Sequence, residues 1–110
     1  MLDELRGLVR SHPSNTAVSE LLAIGLFNKL EGEYDLTRRD ALFGELRVVA
    51  NAHLDDAVVR QPLAWALIVT SVNAEVEGDF PRRDAALDEL RALAKAYPED
   101  PALREIAQKL

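Results

Sequence analysis

Two histidines are the first residues of this chain whose type could do chemistry. His12 and His53 are its only imidazoles, and an imidazole can serve as a general base or a metal ligand. They occupy matching positions of a repeated sequence, however, in which Tyr97 takes the third place. A position that accepts either ring at a helix end favours packing or compensation of the helix dipole. No Ser-His-Asp, Cys-His or metal-ligand cluster is present, so we predict no enzyme activity, no metal and no cofactor.

Two arginine-rich triplets offer a different chemistry. Arg38-Arg39-Asp40 returns 44 residues later as Arg82-Arg83-Asp84. Paired cations near a helix N-terminus oppose the helix dipole, so nearby acids should offset them. The simpler interpretation pairs Arg39 with Asp35, Arg83 with Asp79, and other arginines with Glu75 or Glu77. The alternative is a carboxylate clamp, in which arginines of successive repeats bind an acidic partner.

Further candidates for partner contact lie on two predicted helices. Trp65 is the only tryptophan, and it is either part of the core or an anchor that lines a groove. Four polar residues are weaker candidates, with solvated surface as the competing interpretation: Asn28, Lys29, Thr70 and Asn73.

A repeated phrase indicates the elements that position these residues. Leu2-Asp3-Glu4-Leu5-Arg6 returns as residues 43–47 and again as residues 87–91, at offsets of 41 and 44 residues. Periods of this size are typical of stacked structural repeats. Apolar spacing and turn residues predict six helices, at about residues 2–11, 16–30, 36–52, 57–76, 81–96 and 101–110.

The turns between the predicted helices also repeat. Three residues at one repeat position should be N-caps: Asn15, Asp56 and Asp100. Gly32 and Gly78 should end their helices in the left-handed conformation.

The fourth helix has two unusual features. Pro62 falls inside it, so the helix either kinks there or begins late with Gln61 as its cap; we favour the kink, since Asp56 matches the other caps. Residues 63–69 are apolar all round, which is typical of a helix packed on more than one side.

The turn sequences resemble the tetratricopeptide repeat. The resemblance lies first in Gly32-Glu33-Tyr34 and Gly78-Asp79-Phe80, each followed by an alanine early in the next helix, Ala41 or Ala85. It also includes the prolines that close a helix, Pro13 and Pro98, and the small residue Gly25. The repeats here are a long variant of 41–44 residues. The resemblance implies an all-α fold, a short right-handed α-solenoid of about six antiparallel helices in two and a half repeats, which presents a concave face to a peptide or protein.

Composition limits the class of partner. The net charge of −6 disfavours nucleic acid and anionic membrane, because both are polyanions. The chain has no cysteine, which suits the cytoplasm, and its longest apolar run is too short to span a membrane. Its 110 residues fit a single domain, residues 1–110.

We therefore predict a non-catalytic module that binds a protein or peptide. The alternatives are a self-assembly element, which could form a homodimer through exposed repeat ends, or a fragment of a longer array. The apolar positions of the last helix, Leu103, Ile106 and Leu110, are consistent with an unsealed end.

Overall fold

The computed structural model describes residues 2–109, and within that range every regular element is an α-helix. The helices are α1 (Leu2–Ser11), α2 (Thr16–Glu31), α3 (Leu36–Asn51), α4 (Ala57–Glu77), α5 (Phe80–Ala96) and α6 (Pro101–Gln108). The predicted all-α class and the predicted number of helices are confirmed. Helix ends agree with the sequence to within a residue or two, except that Leu110, the predicted end of the sixth helix, lies outside the described residues.

The predicted N-caps are confirmed by their hydrogen bonds. Asn15 accepts from the backbone N–H of Val18 at 3.3 Å, and Asp56 accepts from Val58 at 3.0 Å. Asp100 accepts from two N–H groups at the start of α6, at 3.0 and 3.3 Å. Each side-chain oxygen thus satisfies donors that have no partner inside the helix.

Two further aspartates are N-caps, although the sequence pattern favoured ion pairs for them. Asp35 accepts from the backbone N–H of Arg38 at 3.0 Å, and Asp79 accepts from that of Arg82 at 3.2 Å. The repeated Asp-x-x-Arg spacing therefore positions a helix start twice, at α3 and at α5.

The two turn glycines, which the sequence treats as equivalent, differ in conformation. Gly78 has a φ of 77° and ends α4 in the left-handed region, as predicted. Gly32 has a φ of −89°, so the prediction of a left-handed end is wrong there. Its N–H instead reaches the carbonyl of Leu30, which closes α2 within the right-handed region.

Helix α4 contains Pro62 rather than beginning at it. The helix starts at Ala57 and continues to Glu77, so the alternative with Gln61 as the cap is wrong. Proline has no N–H, and the carbonyl of Val58 therefore lacks its usual partner four residues on. Pro62 itself is buried.

The chain forms two compact units, residues 1–63 and residues 64–110, with the boundary inside α4. In the first unit α2 packs against both α1 and α3. A Cβ on Gly25 would lie 2.8 Å from Cδ2 of Leu2, so glycine at this position lets α1 approach α2 closely. The buried apolar side chains of this unit include Leu22, Leu26, Leu30, Leu42, Leu46, Val49 and Val59.

In the second unit α5 packs against α6. Its buried apolar side chains include Ala66, Leu67, Ala74, Ala86, Leu90 and Leu103. Across residues 2–109, none of the helices combines the length and the apolar character needed to cross a lipid bilayer.

Candidate interaction surfaces

Helix α4 exposes a line of large apolar side chains in the second unit. Trp65, Val72 and Val76 are 43%, 54% and 83% exposed. Their spacings of seven and four residues place them on one side of the helix, and we call this set the α4 face. The interpretation of Trp65 as part of the core is therefore wrong, although the apolar residues on either side of it, Ala64 and Ala66, are buried.

Helix α2 exposes a similar but smaller set in the first unit. Leu21 and Ile24 are 56% and 41% exposed, and Asn28 continues the same side of the helix. Ile24 follows the N-cap Asn15 by nine residues, and Trp65 follows the N-cap Asp56 by nine. The same repeat position thus exposes a large apolar side chain in both helices.

The end of the α4 face is flanked by acids. Glu75 and Glu77, on either side of Val76, are both exposed. Arg83 reaches Glu75 at 3.5 Å and its neighbour Asp84 at 3.0 Å. Its guanidinium also lies 4.7 Å from the ring centre of Phe80, within the range of a cation–π contact.

The arginines of the two triplets differ in their surroundings. Arg83 is held within the second unit by the contacts just described, and Arg39 and Arg82 also have interaction partners. The predicted pairing of Arg83 with Asp79 is wrong, because the Asp79 carboxylate caps α5 instead. Glu75, which was predicted to pair with one of the other arginines, contacts Arg83 instead. Arg38 is exposed, and a carboxylate clamp that includes it stays a prediction.

The four polar candidates fall at different places. Asn28 and Lys29 are exposed on α2, whereas Thr70 and Asn73 are half-buried on α4. Thr70 follows Trp65 by five residues, which places it on the other side of α4 from the α4 face. Asn28 therefore shares a surface with exposed apolar side chains of α2, and Asn73, three residues before Val76, lies beside the α4 face.

An ion pair that was not predicted from the sequence joins two of the repeated segments. We number these segments by residue: first 2–13, second 43–54, third 87–98. Arg6 of the first segment contacts Glu45 of the second through two hydrogen bonds, at 2.5 and 2.9 Å, and also reaches Asp3 at 2.8 Å. The hydrogen bond to Glu45 is the largest of the effects that raise the pKa of Arg6. The recurrence of Glu-Leu-Arg in every segment was the available signal.

A second polar contact joins the same two segments. Nε2 of His53 lies 3.0 Å from the carbonyl oxygen of Pro13, so the tautomer with hydrogen on Nε2 donates to that oxygen. This histidine therefore has a structural hydrogen bond at a helix end. Within residues 2–109 no cluster of three potential ligands could hold a metal ion.

Two carboxyl groups face one another at the start of α4. Oδ1 of Asp56 accepts the capping bond from Val58, while the buried Oδ2 has no donor as long as Glu20 is ionised. A hydrogen bond to Asp56, which only protonated Glu20 can donate, raises the pKa of Glu20 above its usual 4.5, and desolvation and charge repulsion add to the effect.

No protein-family model matches this chain, and comparisons with curated proteins and with solved structures found no match. The resemblance to the tetratricopeptide repeat stays a prediction. A functional proposal accordingly depends on the exposed surfaces and on the contacts between segments.

Proposed function

We propose that this protein is a non-catalytic interaction module of the cytoplasm, in which helical repeats of the tetratricopeptide type form a short solenoid. Its α4 face binds an apolar segment of a partner protein or peptide. The observation that carries the proposal is the exposure of Trp65 in line with Val72 and Val76.

Tryptophan exposure supports the proposal on energetic grounds. A large aromatic ring left 43% exposed loses the burial free energy that the core would provide, about 25 cal/mol for each Å² that remains in water. Tryptophan is also the residue type most enriched among the side chains that dominate binding energy. Two exposed valines beside it extend the apolar area along the helix, as a docking ridge or groove requires.

The charges near the α4 face indicate the chemistry of the partner. Glu75 and Glu77 flank the exposed Val76, and the whole chain carries a net charge of −6. A partner segment with apolar side chains and a basic flank would match both features, whereas an acidic segment would be repelled. The proposed partner is therefore a basic, amphipathic protein segment.

Capture with a matched pair of variants tests this function. Val76→Glu places a charge on the α4 face, and Val48→Glu makes the same change at a valine of α3 that is 73% exposed. Both side chains point largely into water, so both variants should keep the wild-type helix content and melting temperature. Immobilised wild-type protein and both variants are used to capture partners from cell extract, and the candidates are made as peptides for titration calorimetry.

We expect to find a basic segment that the wild type and Val48→Glu bind with equal affinity. Val76→Glu should bind this segment at least about tenfold more weakly, which corresponds to a loss of about 1.4 kcal/mol of binding free energy. Equal affinity of Val76→Glu would overturn the assignment of the α4 face. The single variant Trp65→Ala should weaken binding more than Val76→Glu does, because it removes the aromatic anchor.

A further inference from the structure

The contact between the first and second segments is directional. The first segment contributes the guanidinium of Arg6 and the carbonyl oxygen of Pro13, and the second contributes Glu45 and the ring of His53. Arg6 occupies one side of its helix and Glu45 corresponds to Glu4, which lies two residues earlier and so points to nearly the opposite side. The first segment therefore presents an arginine and a backbone carbonyl, which we call the arginine side, and the second presents a glutamate and an imidazole, which we call the glutamate side. The second segment has no free equivalent of the Pro13 carbonyl, because the carbonyl oxygen of its counterpart, Leu54, accepts from Arg60.

The third segment has the arginine side, but no glutamate among the described residues pairs with it as Glu45 pairs with Arg6. Arg91 corresponds to Arg6 and keeps the equivalent local pair, with Asp88 at 3.1 Å in place of Asp3. Among the described residues it has no counterpart of Glu45, and its side chain is 50% exposed, against 29% for Arg6. Pro98, which corresponds to Pro13, is exposed, and its carbonyl oxygen accepts no hydrogen bond from residues 2–109.

The first segment has the glutamate side, but no arginine among the described residues pairs with it as Arg6 pairs with Glu45. Glu4 corresponds to Glu45 and is exposed, and no side chain within residues 2–109 pairs with it. His12 corresponds to His53, and its ring is likewise exposed with no partner in that range. Leu8 is 45% exposed, whereas its counterpart Val49 is 7% exposed.

We propose that a second molecule of this chain supplies the missing half of each contact. Arg91 and the Pro98 carbonyl of one molecule bind Glu4 and His12 of the next, which reproduces the pairs Arg6–Glu45 and Pro13–His53. The match is specific because the charge, the hydrogen-bond donor and the order of the two contacts all agree. Association with a second molecule also covers the exposed side chain of Leu8, whose counterpart Val49 is buried within one molecule.

This association is heterologous, because it joins two different surfaces of identical molecules. It uses α1 and the C-terminal part of α5, so it leaves the α4 face available and goes beyond the proposed partner binding. The two proposals fail independently, since Val76→Glu should not change self-association.

Charge reversal tests the proposal by analytical ultracentrifugation. The average mass of the wild type should rise with concentration from that of one chain, and 0.5 M NaCl should weaken the rise. Glu4→Arg and Arg91→Glu each bring like charges together, so each variant alone should associate at least about tenfold more weakly than the wild type. The double variant should recover association, and so should an equal mixture of the two single variants.

Recovery in the mixture also shows that both single variants are folded. Glu31→Arg and Lys29→Glu make the same changes of net charge at exposed positions of α2, and both should associate like the wild type. The proposal would be overturned if the wild type kept the mass of one chain up to about 1 mM, because even a Kd of about 1 mM, or about −4 kcal/mol, would raise the average mass at that concentration. Single variants that associate as well as the wild type would overturn it as well.

Discussion

Arg6 and Arg91 show how two identical residues at equivalent repeat positions can differ in their contribution to stability. Arg6 makes a two-pronged contact with Glu45 from another helix, and both side chains are about one-third exposed. Arg91 makes only an exposed pair within its own helix. Paired hydrogen bonds in a partly desolvated site are stronger than a single exposed ion pair.

A double-mutant cycle should measure this difference. For Arg6→Ala and Glu45→Ala we expect a coupling free energy of about 1 kcal/mol in urea denaturation. The matched cycle of Asp88→Ala and Arg91→Ala should give about 0.3 kcal/mol, the value of an exposed pair within a helix. Equal coupling in both cycles would contradict the contact between the segments.

Glu20 and Asp56 make stability depend on pH. Because the pKa of Glu20 is raised in the folded protein, folding favours the protonated carboxyl group. The stabilising effect is complete below the usual pKa of 4.5 and is lost as the pH rises through the raised value.

Replacement of Glu20 by glutamine should remove this dependence. The introduced side-chain amide can donate to Asp56 at every pH, so Glu20→Gln should melt at a higher temperature than the wild type at pH 7 and at nearly the same temperature at pH 4. Circular dichroism melts between these limits measure the difference. Glu31→Gln removes a carboxylate of the same helix that does not face Asp56, and a similar pH-dependent gain in this control would refute the explanation.

Among the helices and turns, the clearest difference between the repeats is the backbone conformation of the two turn glycines, Gly32 and Gly78. They follow helices of different length, since α4 has 21 residues and α2 has 16. The chain therefore leaves the two helices at different points of the helical turn. Only the exit from α4 requires a positive φ, and the sequence pattern Gly-acid-aromatic is the same in both turns.

Alanine at these two glycines should give opposite results. Gly78→Ala forces a side chain into the left-handed region and should lower the free energy of unfolding by about 1 kcal/mol. Gly32→Ala has an ordinary φ, and the nearest atoms to its Cβ would be 3.9 Å away. It should raise the free energy of unfolding by about 0.5 kcal/mol, because it restricts the unfolded chain. Urea denaturation of both variants measures the contrast, and equal losses would contradict the assigned turn.

For the whole molecule, the sequence could predict the helices because their signals are local. Apolar spacing, capping aspartates and prolines all act within a few residues, and they located each of the six helices found in residues 2–109. The Arg6–Glu45 pair could not be predicted in this way, since it depends on which helix lies beside which. The exposure of Trp65 was also beyond the sequence, because an apolar run such as residues 63–69 does not reveal which single side chain lacks a covering neighbour.

The candidate interaction surfaces were predictable only in part. Trp65 and Asn28 were named from residue type and helix position, and both are exposed. The valines of the α4 face were not named, because valine is ordinary in a core and only its exposure distinguishes it.

The exposure of the single tryptophan has a practical consequence. All indole fluorescence of this protein originates from one ring that is 43% exposed and lies on the α4 face. An occupant of that face would shield the ring from a dissolved quencher such as acrylamide and shift its emission to shorter wavelengths, whereas self-association through Arg91 and Glu4 should leave the spectrum unchanged. One unlabelled optical signal can therefore distinguish the two kinds of association.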